Sequence, residues 1–144
     1  MLRGASEIAN FILRNYSGTI VEVGVGHVPE VALLLSRNMS VVATDKKMQQ
    51  LDGLSIQKDD IFSPRKELYE RASLLYSIRP PIEVQLAMGH LATEIGADIL
   101  IRPLEDEIAI LPGFSRTLVN LGDSRFYCFK HLHKSAAAIS PSTH

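Results

Sequence analysis

Cysteine occurs once in the 144 residues, at Cys128. One thiol closes no internal disulfide and builds no cysteine-based zinc site, so a reducing compartment is the expected setting. An excess of either charge is also missing. The formal net charge is −1, which leaves no global field to attract nucleic acid or an anionic membrane. No apolar run approaches the roughly 18 residues of a membrane span, and the first residues lack the apolar core of a signal peptide. A soluble, cytoplasmic protein is therefore expected. Apolar residues at 46% and charged residues at 22% fit an ordinary folded chain, long enough for one core and too short for two.

Apolar periodicity divides the chain into alternating helices and strands. Ile8, Phe11, Ile12 and Tyr16 recur at helical spacing, with Ser6 as the expected cap and Gly18 as the expected end. Thr19–Val23 is an apolar strand, followed by glycines and a helix over Pro29–Arg37. Ser40–Thr44 is a second strand closing on Asp45, and Leu54–Gln57 a third. Ser63-Pro64 has the pattern of a cap followed by a first-turn proline, which predicts a helix through Ala72. Leu74–Ile78 and Asp98–Ile101 are the fourth and fifth strands. Between them Val84, Ala87, Met88, Leu91 and Ile95 share a helical face that ends at Gly96. "TLVNLGDSRFYCFK" predicts an antiparallel hairpin turning at Gly122-Asp123. The expected fold is a Rossmann-like, doubly wound α/β domain over residues 1–133, its mostly parallel sheet ending in that hairpin. Residues 134–144 are expected to form a disordered tail.

"VEVGVGHVPE" carries the functional signal. A dinucleotide loop uses three glycines, so that the backbone can approach a pyrophosphate seated on a helix N-terminus. Here Gly24 and Gly26 are present, but Pro29 stands where the third glycine belongs. Proline removes an N–H donor, and Glu22 brings negative charge towards the anion. Both features disfavour NAD or FAD. S-adenosylmethionine (SAM) carries no phosphate, and its ammonium group is one that a nearby carboxylate attracts. It still needs the close backbone approach that glycine permits.

With those residues in view, "VEVGVG" resembles the first motif of class I SAM-dependent methyltransferases, an acidic residue and two glycines after the first strand. The resemblance spans residues 5–130. It implies a strand order of 3-2-1-4-5-7-6 and a cofactor over the first two strands. It also implies that Asp45, 21 residues beyond Gly24, binds the ribose hydroxyls. Asp59 or Asp60, followed by Ile61 and Phe62, falls where that family places a residue beside the adenine. "YSIRPP" together with "VEVGVG" is similar to a small uncharacterised archaeal family with this fold and no known reaction. SAM binding with methyl transfer is thus the expected function. The rivals are a non-catalytic binding or regulatory module and, behind it, an NAD- or nucleotide-dependent protein.

Other residues say less. Arg79-Pro80-Pro81 occupies the place of the Asp/Asn-Pro-Pro-aromatic motif of amino methyltransferases, but without its acid or amide and its aromatic ring. No catalytic residue is assigned. His131 and His133 share a strand face, and two histidines do not complete a metal site. His27 lies within the glycine turn. Lys46, Lys47, Lys58, Arg65 and Lys66 make a basic rim of the kind that is usually solvated. One short pattern repeats: Ile-Arg-Pro ends both the fourth and fifth strands. Parallel neighbours would bring Arg79 and Arg102 together at the sheet's carboxyl edge, as an expected docking point for an anionic substrate or a partner's anionic group.

Overall fold

A computed structural model describes residues 2–26, 28–47, 50–51 (backbone only) and 53–132. The order of elements is α1 (Ala5–Asn15), β1 (Thr19–Glu22), α2 (Glu30–Ser36), β2 (Ser40–Asp45), β3 (Gln50–Leu51) and β4 (Leu54–Lys58). A short 3₁₀ turn (Lys66–Leu68) leads to β5 (Ala72–Ile78), α3 (Ile82–Ile95), β6 (Asp98–Arg102), β7 (Phe114–Leu121) and β8 (Ser124–His131). His27, His133 and the expected tail lie outside the described residues.

β1 is central because it pairs in parallel with both β2 and β5. The sheet order is β3-β4-β2-β1-β5-β6-β8-β7. Setting aside the two-residue β3, which pairs antiparallel with β4, the other seven strands follow the expected order 3-2-1-4-5-7-6. The hairpin joins β6 through the antiparallel pair β6–β8, with Ile99 facing Phe129.

Side chains of a strand alternate between the two faces of its sheet, and here both faces are covered. Ile20, Leu74, Tyr76, Leu100 and Phe126 pack with Ile8 and Ile12 of α1 and Val31 and Leu35 of α2. Val21, Val23, Leu75, Ile99 and Ile101 pack with Met88, Leu91 and Ala92 of α3. Each fully buried aliphatic side chain contributes about 1.5–3 kcal/mol relative to leaving it in water. Such burial is why near-continuous apolar strands settle into a parallel sheet.

The structure corrects three sequence expectations. Helix α1 is entered through Gly4 in a left-handed conformation, and Ser6 lies inside the helix rather than capping it. A Cβ on Gly4 would come within 2.7 Å of the Ser124 Cβ, so the chain crosses β8 too closely for a side chain. The helix expected over residues 63–72 is replaced by the 3₁₀ turn, and β5 already begins at Ala72. Tertiary contacts outweigh local propensity there: Asp59 takes the Arg65 N–H at 2.9 Å and the Tyr69 hydroxyl, wrapping the segment around a buried carboxylate. Ala72 is drawn into pairing with Thr19. Finally, Pro29 precedes α2 as its cap, and the helix runs only from Glu30 to Ser36.

Candidate functional site

The strand order reverses at β1, with β2 on one side and β5 on the other, so a crevice opens at the carboxyl ends of the strands. The glycine turn leaves β1 at this edge. Gly24 has φ +68°, a left-handed value that glycine adopts without strain, and no atom lies within 4 Å of where its Cβ would be. The same glycine lines a cavity of about 140 Å³ with Val23, Thr44, Asp45, Lys46, Asp59, Ile61 and Val84. Ile61 also walls a neighbouring cavity of about 300 Å³ beside Phe62 and Leu91.

Most amides of the turn are committed to the protein. Val23 N–H donates to the Tyr76 carbonyl, Val25 N–H to the Thr44 carbonyl and Val28 N–H to the Val25 carbonyl. Gly26 N–H donates to Asp45 Oδ2 at 2.7 Å. With Pro29 adding no donor, the described residues of this turn present no row of outward amides of the kind that binds a pyrophosphate. It offers an open backbone surface with a carboxylate at its edge.

The two aspartates after β4 have different surroundings. Asp59 is buried, and both its oxygens hold the protein together: Oδ1 accepts the Arg65 N–H with Arg65 Nε at 3.6 Å, and Oδ2 accepts the Tyr69 hydroxyl. Burial, then the bond to Asp59, pushes the Tyr69 hydroxyl pKa well up. The Asp59 amide also donates to the Asp45 carbonyl at 2.8 Å, tying β4 to β2 beneath the cavity. Asp60 is exposed and accepts the Phe62 N–H at 2.9 Å, closing a tight turn outside the cavity lining.

Glu22 is placed differently from the expectation. It is 0% exposed and does not line the cavity. Its Oε1 accepts the Tyr76 hydroxyl at 2.6 Å, while Oε2 has no hydrogen-bond partner among the described residues. Burial raises its pKa to about 8; Glu30 and Asp45 add to the rise and the Tyr76 bond opposes it. Burial thus favours the uncharged, protonated form, which weakens the attraction for an ammonium group that its sequence position implied.

Arg79 and Arg102 do become neighbours. β5 and β6 are parallel with Ile78 opposite Arg102, and the Arg79 amide donates to the Arg102 carbonyl at 2.6 Å. Burial and the charge of Arg79 lower the Arg102 pKa. Among the described residues, Asp106 pairs with Arg125 at 3.1 Å, and no salt bridge joins Arg79 or Arg102 to Glu83, Glu105 or Asp106.

Elsewhere, the buried His131 stacks edge-on against Phe114 and donates its amide to Asp98. The basic residues are partly used locally: Lys46 lies over the Phe62 ring, and Lys66 pairs with Glu94. Sequence reasoning missed Gln85, Thr44 and Tyr76, whose roles come from neighbouring elements. Gln85 sits fully buried between two loops, and Thr44 Oγ1 donates to the Glu22 carbonyl at 2.9 Å.

This strand order is that of the methyltransferase-like Rossmann fold. The S-adenosyl-L-methionine methyl transferase of Silicibacter pomeroyi is similar at a TM-score of 0.62, over 89% of this chain and 90% of that one, with 13% identity. Magnesium protoporphyrin IX methyltransferase of Synechocystis, solved with bound SAM, gives 0.57 over 88% and 76%, with 10% identity. At such identities the likeness is one of fold. Residues 5–131 match the uncharacterised protein family UPF0146, and the chain belongs to that family. UPF0146 proteins of Archaeoglobus fulgidus and Methanothermobacter thermautotrophicus are 37% and 39% identical, each over 126 residues; the alignments cover 86% and 85% of this chain and 93% and 92% of theirs.

In the described residues, no helix is long and apolar enough to cross a membrane.

Proposed function

We propose that this protein binds SAM across the carboxyl ends of β1, β2 and β4 and transfers its methyl group to an acceptor. One observation carries the reading. Asp45 holds the tip of the glycine turn through Gly26 N–H, beside a cavity that Gly24, Asp45 and Asp59 line together. The donor set suits a ligand with hydroxyls and an aromatic base but no phosphate. In this reading the Asp45 carboxylate takes the ribose hydroxyls, and Gly24 and Gly26 let the ligand lie against the backbone. Ile61 and Val84 give apolar contact to the base, while Asp59 and Asp60 shape the β4 end rather than charge it. Glu22 supports the floor of the turn from the opposite face of the sheet.

When bound, the cofactor would supply an electrophilic methyl group. The chain's own contribution is then positioning and exclusion of water, which suffices for an acceptor that is already a good nucleophile.

A second reading, a module that binds without catalysing, draws on the small cavity. Its volume of about 140 Å³ lies below the roughly 300–1,000 Å³ of common ligand pockets.

Thermal unfolding tests the cofactor assignment, since a ligand that binds only the folded state raises the melting temperature. SAM and its demethylated product should each raise it, and NAD should not. A shift with NAD and none with SAM would overturn the assignment. Methyl release in the presence of acceptors separates the enzyme from the module.

A further inference from the structure

Arg79 and Glu105 are the two non-glycine residues with positive φ among those described, at 56° and 54°. They lie in adjacent loops, one following β5 and one following β6. Residues held in such sparsely populated conformations concentrate at functional sites, where surrounding structure fixes them. Proline after Arg79 favours extended backbone at that position, so the left-handed value is imposed by the fold.

The source of that constraint is visible. Pro80 and Pro103 are buried, whereas Arg79 is exposed and Arg102 half-buried. Gln85, 0% exposed, donates through Nε2 to the Pro80 carbonyl at 3.1 Å and the Glu107 carbonyl at 2.8 Å. Its Oε1 accepts the Ala109 N–H at 2.7 Å. One buried amide thus fixes both arginine-bearing loops relative to each other. The backbone bond from Arg79 N–H to the Arg102 carbonyl closes the same joint.

The result is two arginines at one edge: Arg102 Nη1 donates to the Pro103 carbonyl at 2.8 Å and Arg102 shares a cavity lining with Glu105 and Asp123, yet among the described residues no salt bridge engages either guanidinium. Like charges in proximity repel, and the cost is relieved when an anion binds between them. Acids are close in sequence, but Glu83 and Glu105 are exposed and Asp106 is engaged by Arg125. Pro81 caps α3, whose N-terminal dipole end faces the same edge with a further partial positive charge. Arginine's planar fork matches the paired oxygens of phosphate and carboxylate.

We propose that Arg79 and Arg102 form a docking site for the phosphate or carboxylate group of the methyl acceptor. The role assigned to that group rests on the SAM reading; the anion site itself does not. Gln85 is its positioning residue, and the acceptor would enter over the ends of β5 and β6, beside the glycine turn.

The test is amide NMR on the full chain, titrated with inorganic phosphate and separately with malonate against potassium chloride of equal ionic strength. Saturable shifts are expected in residues 78–83 and 101–106. A stronger response to phosphate assigns a phosphorylated acceptor, and a stronger response to malonate a carboxylate. Arg79→Gly keeps the left-handed backbone without strain, so it should fold and melt within a few degrees of the parent. Its anion affinity should fall about tenfold or more, as loss of a charge-assisted bidentate contact requires. Arg102→Gln should weaken anion binding similarly. No saturable response, or an unchanged response in both variants, overturns the site. SAM binding measured on the same samples keeps the two readings apart. Loss of the anion response with SAM binding intact removes this inference alone, whereas an anion response without SAM binding removes only the cofactor reading.

Discussion

Glu22 and Tyr76 face each other on adjacent parallel strands and share a hydrogen bond of 2.6 Å inside the core beneath the glycine turn. The tyrosine hydroxyl donates and the carboxyl accepts. With the Glu22 pKa raised to about 8 from 4.5, the folded chain holds a proton that the unfolded chain releases. Below the unfolded value both states are protonated and the group costs nothing. Between the two values stability falls with rising pH, by up to about 1.4 kcal/mol per pH unit, and it levels off above the folded value. Glu22→Gln keeps an acceptor for Tyr76 and removes the titration. Urea unfolding across pH 5–8 should therefore show a flatter profile for the variant, with its advantage over the parent growing as pH rises. Parallel profiles would show that Glu22 does not hold the extra proton.

Asp45 joins β2 to the turn through Gly26, and the proposed ribose contact uses the same carboxylate. Asp45→Ala should weaken SAM binding by about 1–3 kcal/mol, the range for a lost bond to a charged group. Some melting temperature should also be lost, because Gly26 N–H loses an acceptor. Calorimetry on the variant measures the first effect and thermal unfolding the second. Unchanged affinity would remove Asp45 from the ligand's contacts.

At Gly24 sterics and backbone strain act separately. Nothing crowds an added Cβ, so the cost of a side chain to the free protein is conformational, about 1–2 kcal/mol for a left-handed residue. Gly24→Val should stay folded yet lose SAM, because the side chain occupies the open surface above the turn. Gly24→Asn, which tolerates this conformation better, should also bind poorly. Normal SAM binding by Gly24→Val would place the ligand on another loop.

Much of the framework was legible because it rests on local pattern. Helical spacing located α1 and α3, and the repeated Ile-Arg-Pro foretold that the fourth and fifth strands would be parallel neighbours, although their register is offset by one, with Ile78 rather than Arg79 opposite Arg102. The terminal hairpin followed from Gly122-Asp123 between two apolar runs. What escaped was non-local. "TIVEV" is apolar towards both faces, so nothing in it says which layer receives Glu22; that is decided by α1, α2 and the tyrosine on the next strand. Ser63-Pro64 has a helix-opening pattern, but Asp59 captures the segment instead. Gln85 lies in an apolar helical stripe, and its work as a joint depends on carbonyls from two separate loops.

Isothermal titration calorimetry of SAM, its demethylated product and NAD into the full chain decides whether the crevice at the carboxyl ends of β1 and β2 takes SAM. A saturable one-to-one isotherm is expected for SAM and for its product, weakened by Asp45→Ala, with no binding heat from NAD. A saturable NAD isotherm alongside none for SAM would contradict the SAM assignment.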